Sequence, residues 1–113
     1  QKAELTYQVI AQISWPYKTD QACTETVLSL IQIHLLTGRF HQIRAQMEYL
    51  GTPILGDHRF GDEKMLQFAK EAGEDMIALC SYCLKFRHPV THREMIYQIT
   101  PSGVAFQIFK DKI

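Results

Sequence analysis

An abrupt change of periodicity at residues 35–44, which read LLTGRFHQIR, constrains the fold of this chain more than any other feature. Residues 24–36 form a long apolar run that is typical of a central strand in a sheet. The residues after the junction show a helical stripe instead, formed by Phe40, Ile43, Met47 and Leu50. We expect the Thr37 hydroxyl to cap this helix and Gly51 to lie just past its end.

The junction itself is cationic. It carries Arg39 and Arg44, and no acidic residue lies between Glu25 and Glu48. Cationic groups at a strand-to-helix turn indicate a site for an anionic partner or an acidic catalytic group. Spacing alone leaves an alternative open, in which this is an ordinary connection with charges facing water. In that case Arg44 pairs with Glu48 along the helix.

The rest of the chain predicts an α+β fold. Alternation over residues 4–13 indicates a half-buried strand whose apolar face holds Leu5, Tyr7, Val9, Ala11 and Ile13. The pattern predicts these further elements: a loop at 15–20, an exposed helix at 62–72 ended by Gly73, strands at 76–86 and 95–99, a turn at 88–93, and a short closing helix from Ser102 through Phe109. The order β, β, α, α, β, β favours an antiparallel-rich mixed sheet with helices packed on one side.

Length and composition bound the function. The 113 residues form one domain at most, and 46% hydrophobic residues are ordinary for a globular protein. Twelve basic and twelve acidic residues argue against a general polyanion binder. The charges are uneven, however, because residues 84–93 contain Lys85, Arg87 and Arg93 but no acid. A neutral total can therefore hide a basic face.

The sequence predicts an intracellular protein. No apolar run approaches the roughly 20 residues that a membrane span needs. Three cysteines form an odd set without framework spacing, which indicates a reducing compartment. Cytoplasmic, nuclear and mitochondrial locations are not distinguished.

Two spaced motifs carry a family resemblance. Residues 37–44, TGRFHQIR, are followed by LGTPILGD at 50–57 and by Phe60-Gly61. This order and spacing resemble the RluA-like family of RNA pseudouridine synthases. A later segment, LKFRHP at 84–89, is similar to a further element of the family. The resemblance extends over about residues 3–101.

The resemblance implies an enzyme that isomerises uridine to pseudouridine in structured RNA, such as tRNA, rRNA or mRNA, without a cofactor or a metal. It implies that Arg44 is the active-site arginine, which forms an ion pair with the catalytic aspartate. A planar, always-charged guanidinium suits a buried carboxylate that must stay ionised. Arg39, His41 and Gln42 complete the motif as candidates for substrate binding. Leu79 stands where the family places an apolar residue against the target base.

One family element has no match in these residues. The nucleophilic aspartate of the family lies in an Arg-Leu-Asp motif, and no such string occurs here. We therefore expect residues 1–113 to be the C-terminal portion of a catalytic domain, half of a pseudouridine synthase fold, and to be inactive alone. A first residue Gln1 in place of Met agrees with this expectation. The alternative is a non-catalytic RNA-binding or scaffolding module that retains half of the fold.

Two further motifs are assigned to structure. Asp57 follows Gly56 in turn-like sequence, where an aspartate commonly bonds its own backbone, and the family's nucleophile lies elsewhere. Cys80 and Cys83, with His88 and His92, have a zinc-like spacing. On the predicted strand the two cysteines would point to opposite faces, so we do not expect zinc. His88 is instead expected to open a hairpin turn.

Overall fold

The computed structural model describes residues 2–18, 23–73 and 76–113. The chain begins with strand β1 (Leu5–Lys18), which pairs antiparallel with β2 (Cys23–Leu35). A second antiparallel pair is formed by β3 (Cys83–Arg87) and β4 (Glu94–Gln98). The helices are α1 (Gln42–Tyr49), α2 (Glu63–Ala72) and α3 (Val104–Gln107), followed by a 3₁₀ turn at Lys110–Lys112. The predicted α+β fold is confirmed, and the four strands found in these described ranges are divided between two sheets.

Strand β1 contains a bulge, after which the side chains of its apolar positions point to the other side of the β1–β2 pair. Val9 lies opposite Ile31, whereas Ala11 lies opposite Leu30. Opposed residues share a face and successive residues alternate, so the extra residue moves Ala11 to the other side of the pair from Val9. The prediction of one continuous apolar face is therefore wrong beyond Val9.

The strand boundaries also differ from expectation. Residues 15–18 continue β1, so the predicted loop is wrong there, while residues 19 and 20 lie outside the described part of the chain. Strand β2 begins and ends within one residue of its prediction. Its predicted central position is not observed, because within the described residues β1 is its one strand neighbour. Val27 and Leu35 are accordingly exposed.

Helix α1 begins at Gln42, later than predicted. Thr37 does not cap it, because the Thr37 hydroxyl is bonded to the backbone of Glu4 and to the Gln42 side chain. His41 precedes the helix in a left-handed conformation, with φ 53° and no side-chain cap bond. Phe40 therefore lies outside the helix and is 84% exposed, whereas Met47 is buried. Gly51 follows the helix with a positive φ, as predicted.

Helix α2 confirms its prediction closely. The Asp62 carboxylate accepts a hydrogen bond from the Met65 amide at 2.7 Å, and Gly73 ends the helix in the left-handed region. Residues of the helix contribute to a small core, which consists of Leu55, Ala69 and Ala105 with Leu28, Met65 and Ala78 packed against it. This core joins α2 and α3 to β2 and to the segment after α1 that contains Leu55.

The C-terminal part departs from the prediction at its start and its end. Residues 76–82 are not a strand; the Ala78 amide bonds instead to the Leu55 carbonyl at 2.8 Å. The predicted turn at residues 88–93 is confirmed, with the His88 imidazole accepting two backbone amides. The closing helix is shorter than predicted, and Gly103, not Ser102, precedes it. None of the helices in the described residues is long and apolar enough to span a membrane.

Candidate active site

A buried glutamine fixes the loop between β2 and α1. Gln42 is 6% exposed, and its Oε1 accepts hydrogen bonds from the Thr37 hydroxyl at 2.7 Å and from the Arg39 amide at 3.0 Å. Its Nε2 donates to the Glu4 carbonyl at 3.0 Å. Both ends of the amide are used, so this one side chain ties the loop to the start of β1 and to the first turn of α1.

The centre of the site is an ion pair between Arg44 and Asp57. The Arg44 Nε donates to Asp57 Oδ2 at 3.0 Å, and Nη2 donates to Oδ1 at 2.7 Å. Asp57 is fully buried, while the Arg44 side chain is 23% exposed. Parallel charge-assisted bonds of this kind fix both the position and the plane of a guanidinium. Arg44 therefore pairs with Asp57, and the alternative pairing with Glu48 is wrong.

Asp57 is itself held by the turn that it begins. Its Oδ1 accepts the backbone amides of Arg59 and Phe60, both at 3.0 Å, as the predicted turn role requires. Gly56 has a φ of 80° and lies close to the backbone of Met76. A Cβ at this position would lie 2.2 Å from the Met76 carbonyl oxygen, so the close approach requires glycine. The two amides fix the carboxylate, and the close backbone approach at Gly56 fixes the start of its turn.

Two rings flank the guanidinium. The Arg44 Cζ lies 5.2 Å from the centre of the Phe60 ring, within the range of a cation–π contact. The Nη1 atom lies 3.4 Å from Nδ1 of His41. The His41 ring is tilted against Phe40 and meets the Phe60 ring edge-on at 5.9 Å between centroids.

The charges of the site are coupled. The hydrogen bonds from Arg44 lower the pKa of Asp57 to about 2, assisted by the Phe60 and Arg59 amides and opposed by burial. The same pair raises the pKa of Arg44. The pKa of His41 is lowered by loss of solvation and by the positive charges of Arg44 and Arg59. A neutral His41 can accept a hydrogen bond from Nη1, as the geometry requires.

The depressed pKa of Asp57 has a defined effect on stability. A carboxylate that ionises more readily in the folded state stabilises that state above its ordinary pKa, here 3.8. This contribution is lost as the pH falls from that value towards about 2. The ion pair is therefore intact at neutral pH.

The structure brings all five residues predicted for the site to one open cleft of about 200 Å³. Its lining consists of Leu35, Gly38, Arg39, His41, Gln42, Ile43, Arg44 and Leu79. Leu79 reaches the cleft from an irregular segment, not from the predicted strand, and is 40% exposed. Arg39 is exposed and donates its Nε to the Lys2 carbonyl at 2.8 Å.

Sequence reasoning missed two members of the site. The sequence pattern assigns Asp57 to a turn without predicting its pairing with Arg44, and it gives Phe60 no role beyond the motif. The sequence does contain a signal that both residues lie near Arg44, because Asp57 and Phe60 belong to the turn-rich segment that directly follows α1. Only the path of that turn, however, shows that it returns to the start of α1.

The zinc-like motif is not assembled into a metal centre within the described residues. No group of three or more His, Cys, Asp or Glu side chains there is placed to hold a metal ion. The argument that placed both cysteines on a single strand fails, since only Cys83 lies in β3. His88 serves the hairpin turn, as predicted.

Comparison with known proteins gives consistent relatives. The chain is 36% identical over 92 residues to tRNA pseudouridine synthase C of Haemophilus ducreyi, covering 80% of this chain and 37% of the relative. It is 33% identical over 111 residues to tRNA pseudouridine synthase C of Vibrio vulnificus, covering 97% of this chain and 45% of the relative. Ribosomal large subunit pseudouridine synthase C of Haemophilus ducreyi is 39% identical over 67 residues, with 59% of this chain and 21% of the relative covered. No protein-family model matches the chain.

These similarities define the class of protein: the chain is related to the RNA pseudouridine synthases. The resemblance to the RluA-like family, predicted from residues 37–61 and 84–89, is confirmed. The chain spans less than half the length of these curated relatives.

Proposed function

We propose that the protein carrying these residues is an RNA pseudouridine synthase, which isomerises uridine to pseudouridine in tRNA or rRNA. The observation that carries this proposal is Arg44, in the motif that resembles the family's active site, fixed at a cleft with part of its hydrogen-bonding capacity unused. A guanidinium has five N–H donors. Within the described residues, Asp57 takes two of them and His41 one.

The free donors of Arg44 suit a second carboxylate. By the family resemblance, this is the catalytic aspartate, which attacks the nucleoside. The glycosidic bond from N1 then breaks, the base turns, and its carbon 5 is joined to the sugar, with loss of the proton on carbon 5 and protonation of N1. Arg44 would keep that carboxylate ionised and oriented, since an adjacent cation lowers its pKa. Asp57 is unsuited to the nucleophilic role, because it is fully buried and accepts four hydrogen bonds.

The other cleft residues receive different proposed roles. Leu79 is exposed at the cleft, where it can contact the target base. Arg39 and His41 line the same cleft and are proposed to contact the RNA. Gln42 is buried with both amide atoms bonded to the protein, so we propose that it shapes the substrate loop without touching the RNA. A target uridine must leave its stack to reach such a cleft.

We also propose that residues 1–113 are the C-terminal portion of the catalytic domain. The accessible surface of the chain is 8485 Å², whereas a compact monomer of 13.1 kDa exposes about 6,400 Å². Its radius of gyration is 16.1 Å, against about 13 Å for a compact domain of this length. The excess is larger than the roughly 800 Å² that each partner buries in a standard protein interface. The remaining length of the relatives is the polypeptide proposed to cover it.

The test of the function uses Arg44 in the full-length gene product. Arg44→Lys keeps the charge but loses the planar two-donor geometry, so we expect it to lose nearly as much activity as Arg44→Ala. The single-turnover rate of pseudouridine formation should fall by about 100-fold or more, as when one positioned electrostatic partner is removed. RNA affinity should change little, because Arg44 faces carboxylates.

Lys85→Ala is the matched control for a cationic residue. Lys85 is exposed on β3. Lys85→Ala should weaken RNA binding and reduce the salt dependence of that binding, while the single-turnover rate at saturating RNA stays nearly normal. Arg87 is less suitable, because its Nη1 bonds the His92 carbonyl at 2.7 Å. Circular dichroism checks that each variant is folded. Weaker RNA binding with an intact saturated rate in Arg44→Ala would reassign Arg44 as a phosphate contact.

A further inference from the structure

We infer that Asp57 is a positioning residue for Arg44, whose buried carboxylate holds one edge of the guanidinium so that the other edge is presented at the cleft. This inference rests on the proposed function, because it concerns how Arg44 is prepared to meet a second carboxylate. Asp57 would act through Arg44 and would not touch the RNA.

The direction of the guanidinium follows from which donors Asp57 takes. Nε and Nη2 form one edge of the planar group, and both bond the carboxylate, at 3.0 and 2.7 Å. The Nη1 atom therefore lies on the side away from Asp57, where it approaches His41 Nδ1 at 3.4 Å. Arg44 and His41 both line the cleft. The free donors are thus on the side at which an incoming carboxylate would arrive.

Asp57 is rigid enough to serve as the reference point. Its side chain accepts two amides of its own turn, its amide donates to the Ile54 carbonyl at 3.1 Å, and its carbonyl accepts the Gly61 amide at 2.9 Å. Every polar group of the residue is therefore engaged. A carboxylate held in this way can fix a long side chain that would otherwise have many rotamers.

The same turn also holds the face of the guanidinium. Phe60 lies three residues after Asp57, and its ring centre is 5.2 Å from the Arg44 Cζ. One short turn therefore contacts both the edge and the face of the group. A buried ion pair is weak evidence for stability by itself, since well-packed apolar residues often replace one without loss. Orientation of the free edge gives the charge pair a role that an apolar pair would not fill.

The first test is Asp57→Asn in the full-length gene product. Asparagine keeps one oxygen, which can still accept the Arg59 and Phe60 amides and Nη2 of Arg44, but it turns an N–H group towards Nε. The turn is therefore retained and the two-bond pairing with the guanidinium is broken. We expect the single-turnover rate at saturating RNA to fall at least about 10-fold, because small misplacements of a catalytic group are costly. The dissociation constant for RNA should be unchanged.

Asp62→Ala is the matched control for lost stability. Asp62 also accepts a backbone amide at a turn, that of Met65 at 2.7 Å, but it is not among the partners of Arg44. Its removal should lower the unfolding temperature and leave the rate of the folded protein intact. An equal rate loss in both variants, measured at a temperature where both are folded, would assign Asp57 to structure alone.

A double-mutant cycle separates a positioning role from a purely structural one. If Asp57 acts through Arg44, Asp57→Asn should add no rate loss in an Arg44→Gln background. A full multiplicative loss there would overturn the inference. A normal rate in Asp57→Asn, with Arg44→Gln still impaired, would also overturn it while leaving the proposed function intact. If Arg44→Gln itself retained the normal rate, the proposed role of Arg44 would fail instead.

Discussion

The Asp57 carboxylate accepts two hydrogen bonds from Arg44 of α1 and two from the Arg59 and Phe60 amides of its own turn. Its placement depends on a close passage of backbone. The Gly56 position lies beside the Met76 carbonyl, and a side chain there would displace one segment from the other. At the scale of single residues, the site therefore depends on a glycine that carries no chemistry.

The dependence can be tested by comparing two glycines with nearly equal φ. Gly56 (φ 80°) is crowded, since a Cβ added there would lie 2.2 Å from the Met76 oxygen, whereas Gly73 (φ 78°) has open space around it. Gly73→Ala should cost only the left-handed backbone strain, about 1 kcal/mol. Gly56→Ala adds a clash with backbone and should cost at least about 3 kcal/mol. Chemical denaturation of both variants measures the difference; equal losses would contradict the close approach.

At the scale of elements, Gln42 joins three segments that are far apart in sequence. Its amide bonds Thr37, Arg39 and the Glu4 backbone, which is 38 residues away. These bonds fix the first residue of α1, although none of them caps a helix amide.

Gln42→Glu is expected to destabilise the protein in a pH-dependent way. The new carboxylate would set an oxygen against the Glu4 carbonyl at a position that is 6% exposed. Burial and this repulsion raise the pKa of a glutamate in the folded state, so stability is retained at low pH and is lost as the pH rises above about 4.3. At neutral pH the loss should be about 3 kcal/mol.

Gln8→Glu provides the matched control, since Gln8 is exposed on β1 and undergoes the same chemical change. Its unfolding free energy should vary little between pH 4 and pH 7, on the order of 0.5 kcal/mol at most. Urea unfolding at several pH values compares the two variants. A flat pH dependence for Gln42→Glu would show that the hydrogen bonds of the buried Gln42 amide do not persist in solution.

At the scale of the whole molecule, the chain has more surface than its mass requires. Among the residues that the structure describes, each sheet has two strands, and large apolar side chains on both are exposed, including Val27, Leu84 and Ile96. An apolar run on both faces of β2 is typical of a covered strand. The composition of β2 therefore suits a larger fold than the described residues form by themselves.

The isolated 113-residue chain is expected to be catalytically inactive. The reason is chemical, because the family's Arg-Leu-Asp nucleophile is absent from this sequence and Asp57 is committed to Arg44. Incubation with transcribed tRNA and rRNA, followed by an assay for pseudouridine, measures this. The full-length gene product serves as the positive control. Turnover by the purified chain would require a nucleophile among its own residues.

Local chemistry determined the features that the sequence predicted well. Helix α2 is capped by Asp62 and ended by Gly73, which directly flank it in the sequence. The turn at residues 88–93 is closed by hydrogen bonds to the imidazole of His88. The motif at 37–44 predicted Arg44 and its neighbours as site residues through its resemblance to the RluA-like family, since residue types and spacing alone left an ordinary connection possible. Interactions of this kind involve residues within a few positions of one another, so their partners can be identified from the sequence.

Tertiary structure decided the features that the sequence left open. The partner of Arg44 lies 13 residues away, and Glu48 is an equally plausible partner by spacing until the path of the turn places Asp57 beside the helix. The bulge in β1 depends on its register with β2, and the Thr37 hydroxyl is bonded to Glu4 and Gln42 instead of to the helix amides. In each case the local sequence is compatible with more than one arrangement, and a contact distant in sequence selects between them.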